Sequence, residues 1–371
     1  MGNATTATSW VAMDTDAENI HVAIFRGEEA DPSAEFQVGS DSRGIGRLKK
    51  RLEKELGPVR CVYEAGPCGY WLQRELKGAG YDCTVIAPSL TPRKPGQQVK
   101  TNRLDARRLG VYYRGGQLTP VRVPDEKQEA VRDLLRARDD VRRDVMQRRQ
   151  RLNGFLLRHG YHFSEGKNRW TQKHWAWVKA LQLETTIQGV LEEYITAVEQ
   201  AQEQLKRFDQ RIQQTAEQPE YRRKVERYST LRGIRTLGAM TILAEAGDLR
   251  QYASAGAFMG STGMVPRESS TGDRQRRGSI TKAGNGYLRR ILIEASWSYQ
   301  KRAHGGATIQ KRRQAHPEWL LSIARKADHR LHQKFAKLQY RYNKKSVVAA
   351  VAVARELAGF IWAIGQQIEN A

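Results

Sequence analysis

After the proline-bearing stretch "LTPVRVPDEK", Leu118 to Lys127, the short β-rich runs that fill the start of the chain stop and long charged helical patterns take over. Runs of period two and runs of period 3.6 bury their apolar groups in different ways, so this switch excludes a single uniform architecture. Ahead of it, "WVAMD" and "IHVAIF" read as two strands of a hairpin joined by the polar turn Thr15 to Asn19. "GIGRLKKRLEKEL" then reads as a helix, "RCVYEA" as a strand, "GYWLQRELKGAG" as a helix closed by glycine, "DCTVIAP" as a strand and "TNRLDARRLGVYY" as the opening of another helix. A hairpin followed by strands alternating with helices predicts a mixed α/β sheet over residues 1–122.

Residues 123–226 read as a helical region. Val131, Leu134, Leu135, Val141 and Val145 begin one helix that continues to "NGFLLRHG". In a second, Ile187, Leu191, Tyr194, Val198, Ala201, Leu205, Phe208 and Ile212 recur in steps of four and three, the 3.5-residue spacing of a coiled-coil seam. Such a seam closes either as an antiparallel hairpin within the chain or as a zipper between two chains. Between the helices, the tryptophans of "NRWTQKHWAWVKAL" serve either a core or a base-stacking surface. Residues 227–371 form a third, mostly helical region. There "LRGIRTLGAMTILAEAGDL" sets Gly233 and Gly238 around a turn similar to a helix-hairpin-helix, which aims backbone N–H groups at a phosphate; an ordinary helix start has the same spacing. The most apolar run, "VVAAVAVARELAGFIWAIG", carries Arg355 and Glu356 at its middle and reads as a buried helix, not a membrane span.

Length and charge narrow the function. A chain of 371 residues predicts two or three domains. Sixty-three Lys and Arg against forty Asp and Glu leave a net charge of +23, which draws polyanions and makes nucleic acid the leading partner. The three cysteines, Cys61, Cys68 and Cys83, form no C-x-x-C pair, so neither a disulfide framework nor a thiolate zinc site is indicated and the chain reads as cytoplasmic. "MGNATTATSW" lacks the basic start and apolar stretch of a signal peptide, and we read its nominal fit to a myristoylation pattern as chance.

Two sets of residues carry chemistry. Asp14 lies where the first strand runs into its turn, Glu64 ends a later strand and Asp105 follows on a helix. Neighbouring strand ends bring two such carboxylates together, and acids without histidine or cysteine suit a hard cation, chiefly Mg²⁺. Taken singly each has a structural reading: a turn for Asp14, an exposed strand end for Glu64, a capping box for Asn102 with Asp105. The second set is "RESSTGDRQRRG", where Ser269, Ser270 and Thr271 precede a glycine and a run of arginines.

"AMDTDAENIHVAIF", "VYEAGPCGYW", "VKTNRLDARRL" and "GMVPRESSTGDRQRRGSITKAGNGYLRRILIEASW" together resemble the transposases of the insertion-sequence one-hundred-and-ten family, the bridge-RNA-guided serine recombinases. The resemblance runs from Val11 to the C-terminal apolar helix, and "ITKAGNGYLRR" is its most specific element. It implies an RNase H-like (RuvC-like) N-terminal domain, a coiled-coil connection and a C-terminal transposase domain bearing a nucleophilic serine. The family's acidic set falls on Asp14, Glu64 and Asp105. Its remaining acid falls on Asn102, a neutral amide and hence a weaker metal ligand. The family serine directly precedes the loop glycine, where this chain has Thr271 before Gly272; Ser270, a less hindered primary hydroxyl, is the first candidate nucleophile, Thr271 the second and Ser269 the third.

With no histidine near Ser270 in sequence, activation is expected from the Asp14, Glu64 and Asp105 metal site, supplied by the other domain or another subunit. Arg274, Arg276, Arg277 and Lys282, with Arg289 and Arg290 of the signature, are assigned to nucleic-acid contact. The resemblance implies transesterification through a phosphoserine link, a noncoding bridge RNA that selects target and donor DNA by pairing, and a homo-oligomer, a tetramer built from dimers. Two other readings remain: a metal-only nuclease of the junction-resolvase type, and a noncatalytic RNA-binding scaffold.

Overall fold

The computed structural model of the chain describes all residues except 1–6, 67, 89–90, 92–101, 167, 269–276, 303–305, 369–371 and the side chain of Arg277. The chain packs as two compact units, Met1–Val123 and Pro124–Ala371.

Strand alternation sets the layers of the first unit. Strands β1 (Ser9–Thr15) and β2 (Asn19–Arg26) form the expected hairpin, and β3 (Ala34–Gly39) adds an antiparallel edge that the sequence reading passed over. Helix α1 (Ser42–Leu52) leads to β4 (Val59–Glu64), which lies parallel to β1. Helix α2 (Trp71–Gly78) leads to β5 (Asp82–Ile86), parallel to β4, and α3 (Asn102–Arg114) follows. The sheet order is β3-β2-β1-β4-β5. Odd-numbered positions such as Val11, Met13, Cys61 and Tyr63 pack with Leu48, Leu52, Leu72 and Leu76 of α1 and α2. Even-numbered positions face the other way, where Ala12 and Val62 meet Leu109 of α3. Contact there is close: a Cβ on Gly110 would stand 2.3 Å from Phe25 Cε2, so only glycine lets α3 lie against β2. Tyr113 near the end of α3 meets Trp10 near the start of β1 edge-on at 5.3 Å, whereas Asn102 at its start bonds to Asp16 just past the end of β1. Helix α3 therefore runs antiparallel to β1 and opens at the carboxyl end of the strand.

The second unit is mostly helical. Helices α4 (Glu126–Arg158) and α6 (Thr185–Ala216) pair Arg138 with Asp209 and Arg148 with the carbonyl of Ala197, so they run antiparallel within one chain. Leu191, Val198, Ala201 and Ile212 of the predicted seam are buried. Helix α5 (Gln172–Ala180) sits at the turn of this hairpin, where Trp170, Trp175 and Trp177 pack onto Leu152, Phe155 and Val178, a core role.

Helices α7 (Pro219–Tyr228) and α8 (Thr236–Ala246) bracket the predicted hairpin segment. Gly233 there has φ +78°, and a Cβ on it would lie 2.3 Å from the carbonyl oxygen of Ala295. Helix α9 (Ala255–Ser261) precedes a two-stranded ribbon, β6 (Pro266–Glu268) with β7 (Arg277–Ile280), and α10 (Gly286–Ser296), α11 (Ala307–Arg313), α12 (Glu318–Ala336) and α13 (Ser346–Ile368) complete the unit. Among the described residues, α13 is the one helix long and apolar enough to cross a membrane. Its Ala350, Val353, Leu357, Ile361 and Ile364 are fully buried in the core shared with Leu292 of α10 and Leu331 of α12, as a buried helix requires.

Candidate active site

In the first unit, Met13 pairs with Tyr63 across the parallel strands β1 and β4, which puts Asp14 and Glu64 next in register at the same, carboxyl end of the sheet. Both are even-numbered, like Ala12 and Val62, so both fall on the sheet face that α3 covers. On α3, Asn102 and Asp105 stand seven and four residues before the buried Leu109, on the same side of the helix. One face and one end of the sheet thus collect the three acids and the amide singled out in the sequence. Open α/β sheets bind their ligands at this end of the strands.

Each group has a partner there. The Thr91 hydroxyl donates to Glu64 Oε1 at 2.6 Å, and Arg108 Nη2 donates to Asp105 Oδ1 at 2.6 Å. Asn102 donates its amide to Asp16 Oδ2 at 2.8 Å. Asp16 was not among the sequence candidates. Its Oδ1 accepts the backbone N–H groups of Asn19 and Glu18 at 2.6 and 2.9 Å, closing the β1–β2 turn. Those N–H groups, Asn19 first, hold the Asp16 carboxyl below the usual carboxylate range. An aspartate two and three residues ahead of the N–H groups it accepts is an Asx turn, and "TDAEN" carries that signal.

The resemblance implies a divalent metal ion held by these acids. An oxygen-only donor set fits a hard cation. The side-chain arrangement does not complete a site for one: among the described residues, no group of three or more His, Cys, Asp and Glu side chains could hold a metal ion. Asp105 is turned to Arg108 and Asn102 to Asp16 instead.

In the second unit, Ser269, Ser270, Thr271, Arg274 and Arg276 lie outside the described residues, as does the side chain of Arg277. The ribbon flanks this segment, with Pro266 opposite Ile280 and Glu268 opposite Arg277. Lys282 is exposed with φ +56°, its N–H bonded to the carbonyl of Gly263. Arg289 donates to the carbonyl of Thr262 at 2.9 Å, and Arg290 pairs with Asp139 at 3.0 Å and Glu294 at 2.8 Å. Both signature arginines thus make contacts inside the unit.

Sequence reasoning missed the acids that receive this signature. Glu245 on α8, its side chain 1 % exposed, accepts two hydrogen bonds from Arg136 at 2.9 and 3.0 Å and one from Asn285 at 2.5 Å. Asn285 also caps α10 by accepting the N–H of Leu288. Asp139 on α4, 2 % exposed, is ringed by Arg142, Arg143 and Arg290, and the nearby guanidiniums hold its carboxyl low against the opposing effect of burial. In sequence both sit in ordinary helical patterns, and Arg290 for Asp139 and Arg136 and Asn285 for Glu245 lie far away along the chain.

Comparison with known proteins fits both units. A family model described as a transposase of the DEDD type matches residues 11–160, and the model of the transposase IS116/IS110/IS902 family matches residues 225–312. The chain is 38% identical over 332 residues to a putative transposase, y4qE, of Sinorhizobium fredii, covering 89% of this chain and 81% of that one. It is 33% identical to the transposase for insertion sequence element IS1533 of Leptospira borgpetersenii, covering 90% and 98% of the two chains. A probable family 20 transposase of Pseudomonas aeruginosa is 27% identical over 84% of this chain and 85% of its own. Identity at this level over most of the chain, with family models matching residues 11–160 and 225–312, places the chain in the IS110 family of insertion-sequence transposases.

Proposed function

We propose that the protein cuts and rejoins DNA strands of its insertion sequence, with Asp14 and Glu64 as the acidic centre and a hydroxyl of Ser269 to Thr271, Ser270 first, as the nucleophile. The observation that carries this reading is the placement of Asp14 and Glu64 side by side at the carboxyl ends of two parallel strands, on the face covered by α3. Two structural carboxylates rarely need such company, because like charges at adjacent strand ends disfavour each other.

In the proposed reaction the hydroxyl oxygen attacks a phosphodiester phosphorus. A P–O bond to the protein forms, the P–O bond to the sugar breaks, and the proton of the attacking hydroxyl is balanced by the sugar hydroxyl released. A hydroxyl from a second strand then reverses the exchange, so no ATP is consumed. Asn102, bonded to Asp16, positions the start of α3 against the acidic centre, and Asp105, half-buried, is paired along the same helix with Arg108. Dependence on Mg²⁺ belongs to the same reading because the donors are oxygens alone; to join Asp14 and Glu64 around a cation, Asp105 and Asn102 would leave Arg108 and Asp16. So does a guide RNA: a net charge of +23 supports a second polyanion beside DNA, with pairing rather than protein contacts choosing sequence. Exchange between two duplexes requires at least a dimer, and a tetramer of two dimers accommodates donor and target together.

The test is a denaturing gel of labelled element-end DNA incubated with the protein and the transcript flanking its gene. A protein–DNA adduct is expected, absent in Asp14→Asn and in Ser270→Ala. Free 5′ and 3′ ends with no adduct, unchanged in Ser270→Ala and Thr271→Ala, mean hydrolysis by the acids alone and overturn the hydroxyl role.

A further inference from the structure

The end of α12 departs from α-helical geometry. Over Lys337–Arg341 the helix widens to a π turn, Tyr342 N–H reaching back five residues to the carbonyl of Lys337 at 3.1 Å. Asn343 then takes φ +46°, Lys344 N–H bonds to the carbonyl of Leu338 at 2.9 Å, and α13 begins at Ser346. A widened turn of this kind costs backbone regularity and is frequent at functional sites. Here it turns two rings outward: Tyr340 is 77% exposed and Tyr342 51%.

The surroundings are cationic. From His329 to Arg355 the sequence has seven Lys and Arg and no Asp or Glu. Arg330 and Lys334 are answered by Glu356, but Lys337, Arg341, Lys344 and Lys345 are exposed and form no ion pair among the described residues. Lys337 Nζ lies 5.7 Å from the centre of the Tyr342 ring and the Arg341 guanidinium 6.0 Å from it. Exposed rings interleaved with unpaired cations form the surface on which an unpaired strand stacks its bases and lays its phosphates. A duplex offers only phosphates to such a surface, because its bases are already stacked on one another.

We infer that the α12–α13 elbow, with Tyr340 and Tyr342 as the stacking rings, binds an unpaired nucleic-acid strand, either RNA or displaced DNA. The partner class rests on the chain acting on DNA, not on which group attacks the phosphate; strand binding needs no cleavage, so the two readings fail separately. Val347 and Val348, 58% and 50% exposed, extend the apolar edge of the elbow. The chemically distinct occupant is an anionic lipid surface, which the test includes.

The full-length protein is titrated into fluorescein-labelled twelve-nucleotide oligouridine, oligothymidine and a mixed-sequence duplex, and into phosphatidylserine vesicles, at two salt concentrations. The variant Tyr340→Ala/Tyr342→Ala is expected to lose about tenfold or more in affinity for single strands. Its duplex binding should stay within about twofold of the parent, since stacking is the interaction removed. Loss on one of the two single strands supports the inference and names the strand. Tyr340→Phe/Tyr342→Phe should restore binding, because the ring and not its hydroxyl stacks. Replacing Lys337, Arg341, Lys344 and Lys345 by Gln should weaken every nucleic-acid probe and lower the salt slope for single strands by about 3. Unchanged single-strand binding in the alanine variant overturns the inference, as does equal loss on the duplex. A loss confined to the vesicles overturns it in favour of lipid. Circular dichroism of each variant checks that the fold is kept, as expected at exposed positions.

Discussion

The two units treat their carboxylates differently. In the helical unit Asp139 and Glu245 are nearly inaccessible and each meets several guanidiniums, three around Asp139 and two beside Glu245. In the sheet unit Glu64 accepts from a threonine hydroxyl, and Asp14 stands half-buried at a strand end next to it. Carboxylates ringed by arginine are fixed in charge and position, which suits joints between helices. Asp14 and Glu64, gathered at neighbouring strand ends, repel one another, and a cation relieves that repulsion. The contrast predicts which acids carry activity and which carry the fold.

The sharpest way to break that contrast is to neutralise one acid of each kind. Asp14→Asn or Glu64→Gln should lower strand exchange by about a thousandfold, equivalent to about 4 kcal/mol, with the urea midpoint unchanged. Should either variant instead unfold more readily while keeping its turnover, the strand-end acids belong with the structural set. Glu245→Ala should do the reverse: it leaves the guanidiniums of Arg136 and Arg132 without their partner and is expected to cost about 3 kcal/mol in urea unfolding.

Smaller effects test the support beneath the acidic centre. Gly110→Ala drives a methyl into Phe25 and should lower stability by about 1–3 kcal/mol, with activity falling as α3 is pushed from the sheet. Glu35 on β3, like Glu55 beside Arg26, is an acid of this unit answered by arginine and set apart from the strand-end pair. Hydrogen bonds from Arg107 and then Arg103 hold its carboxyl down at about 2, tying α3 to the sheet edge. A depressed folded-state value means this contribution is complete above about pH 4.5 and is lost as pH falls towards about 2. The melting temperature should therefore drop less steeply with acid in Glu35→Gln than in the parent, a difference that vanishes if Glu35 is merely solvated.

Much of the sheet unit was legible because strand periodicity is local. The hairpin, the helices and the parallel strands follow from short runs, and Asp14 and Glu64 fall on one face through parity alone. Strand β3 escaped notice because "AEFQVG" has only one β-branched residue, Val38, and follows the polar stretch "GEEADPS". In the helical unit the tryptophan segment and the seam left two readings each, because burial depends on which distant helix arrives; the structure gives a core and an antiparallel hairpin. The signature "ITKAGNGYLRR" was recognisable as a string, yet its fastening role was not. Asn285, Arg289 and Arg290 acquire their partners from Glu245, Thr262 and Asp139, up to 151 residues away.

The ribbon has a consequence for how such a chain diversifies. Its root is tied by Thr281 N–H to the carbonyl of Val265 and Lys282 N–H to that of Gly263, while Arg289 grips the carbonyls of Thr262 and Lys282. None of these bonds involves a side chain between residues 269 and 276. Substitutions in such a chain are accordingly least tolerated at this root: a Cβ on Gly263 would stand 2.3 Å from the carbonyl oxygen of Ala283, and one on Gly284 2.0 Å from that of Ser261.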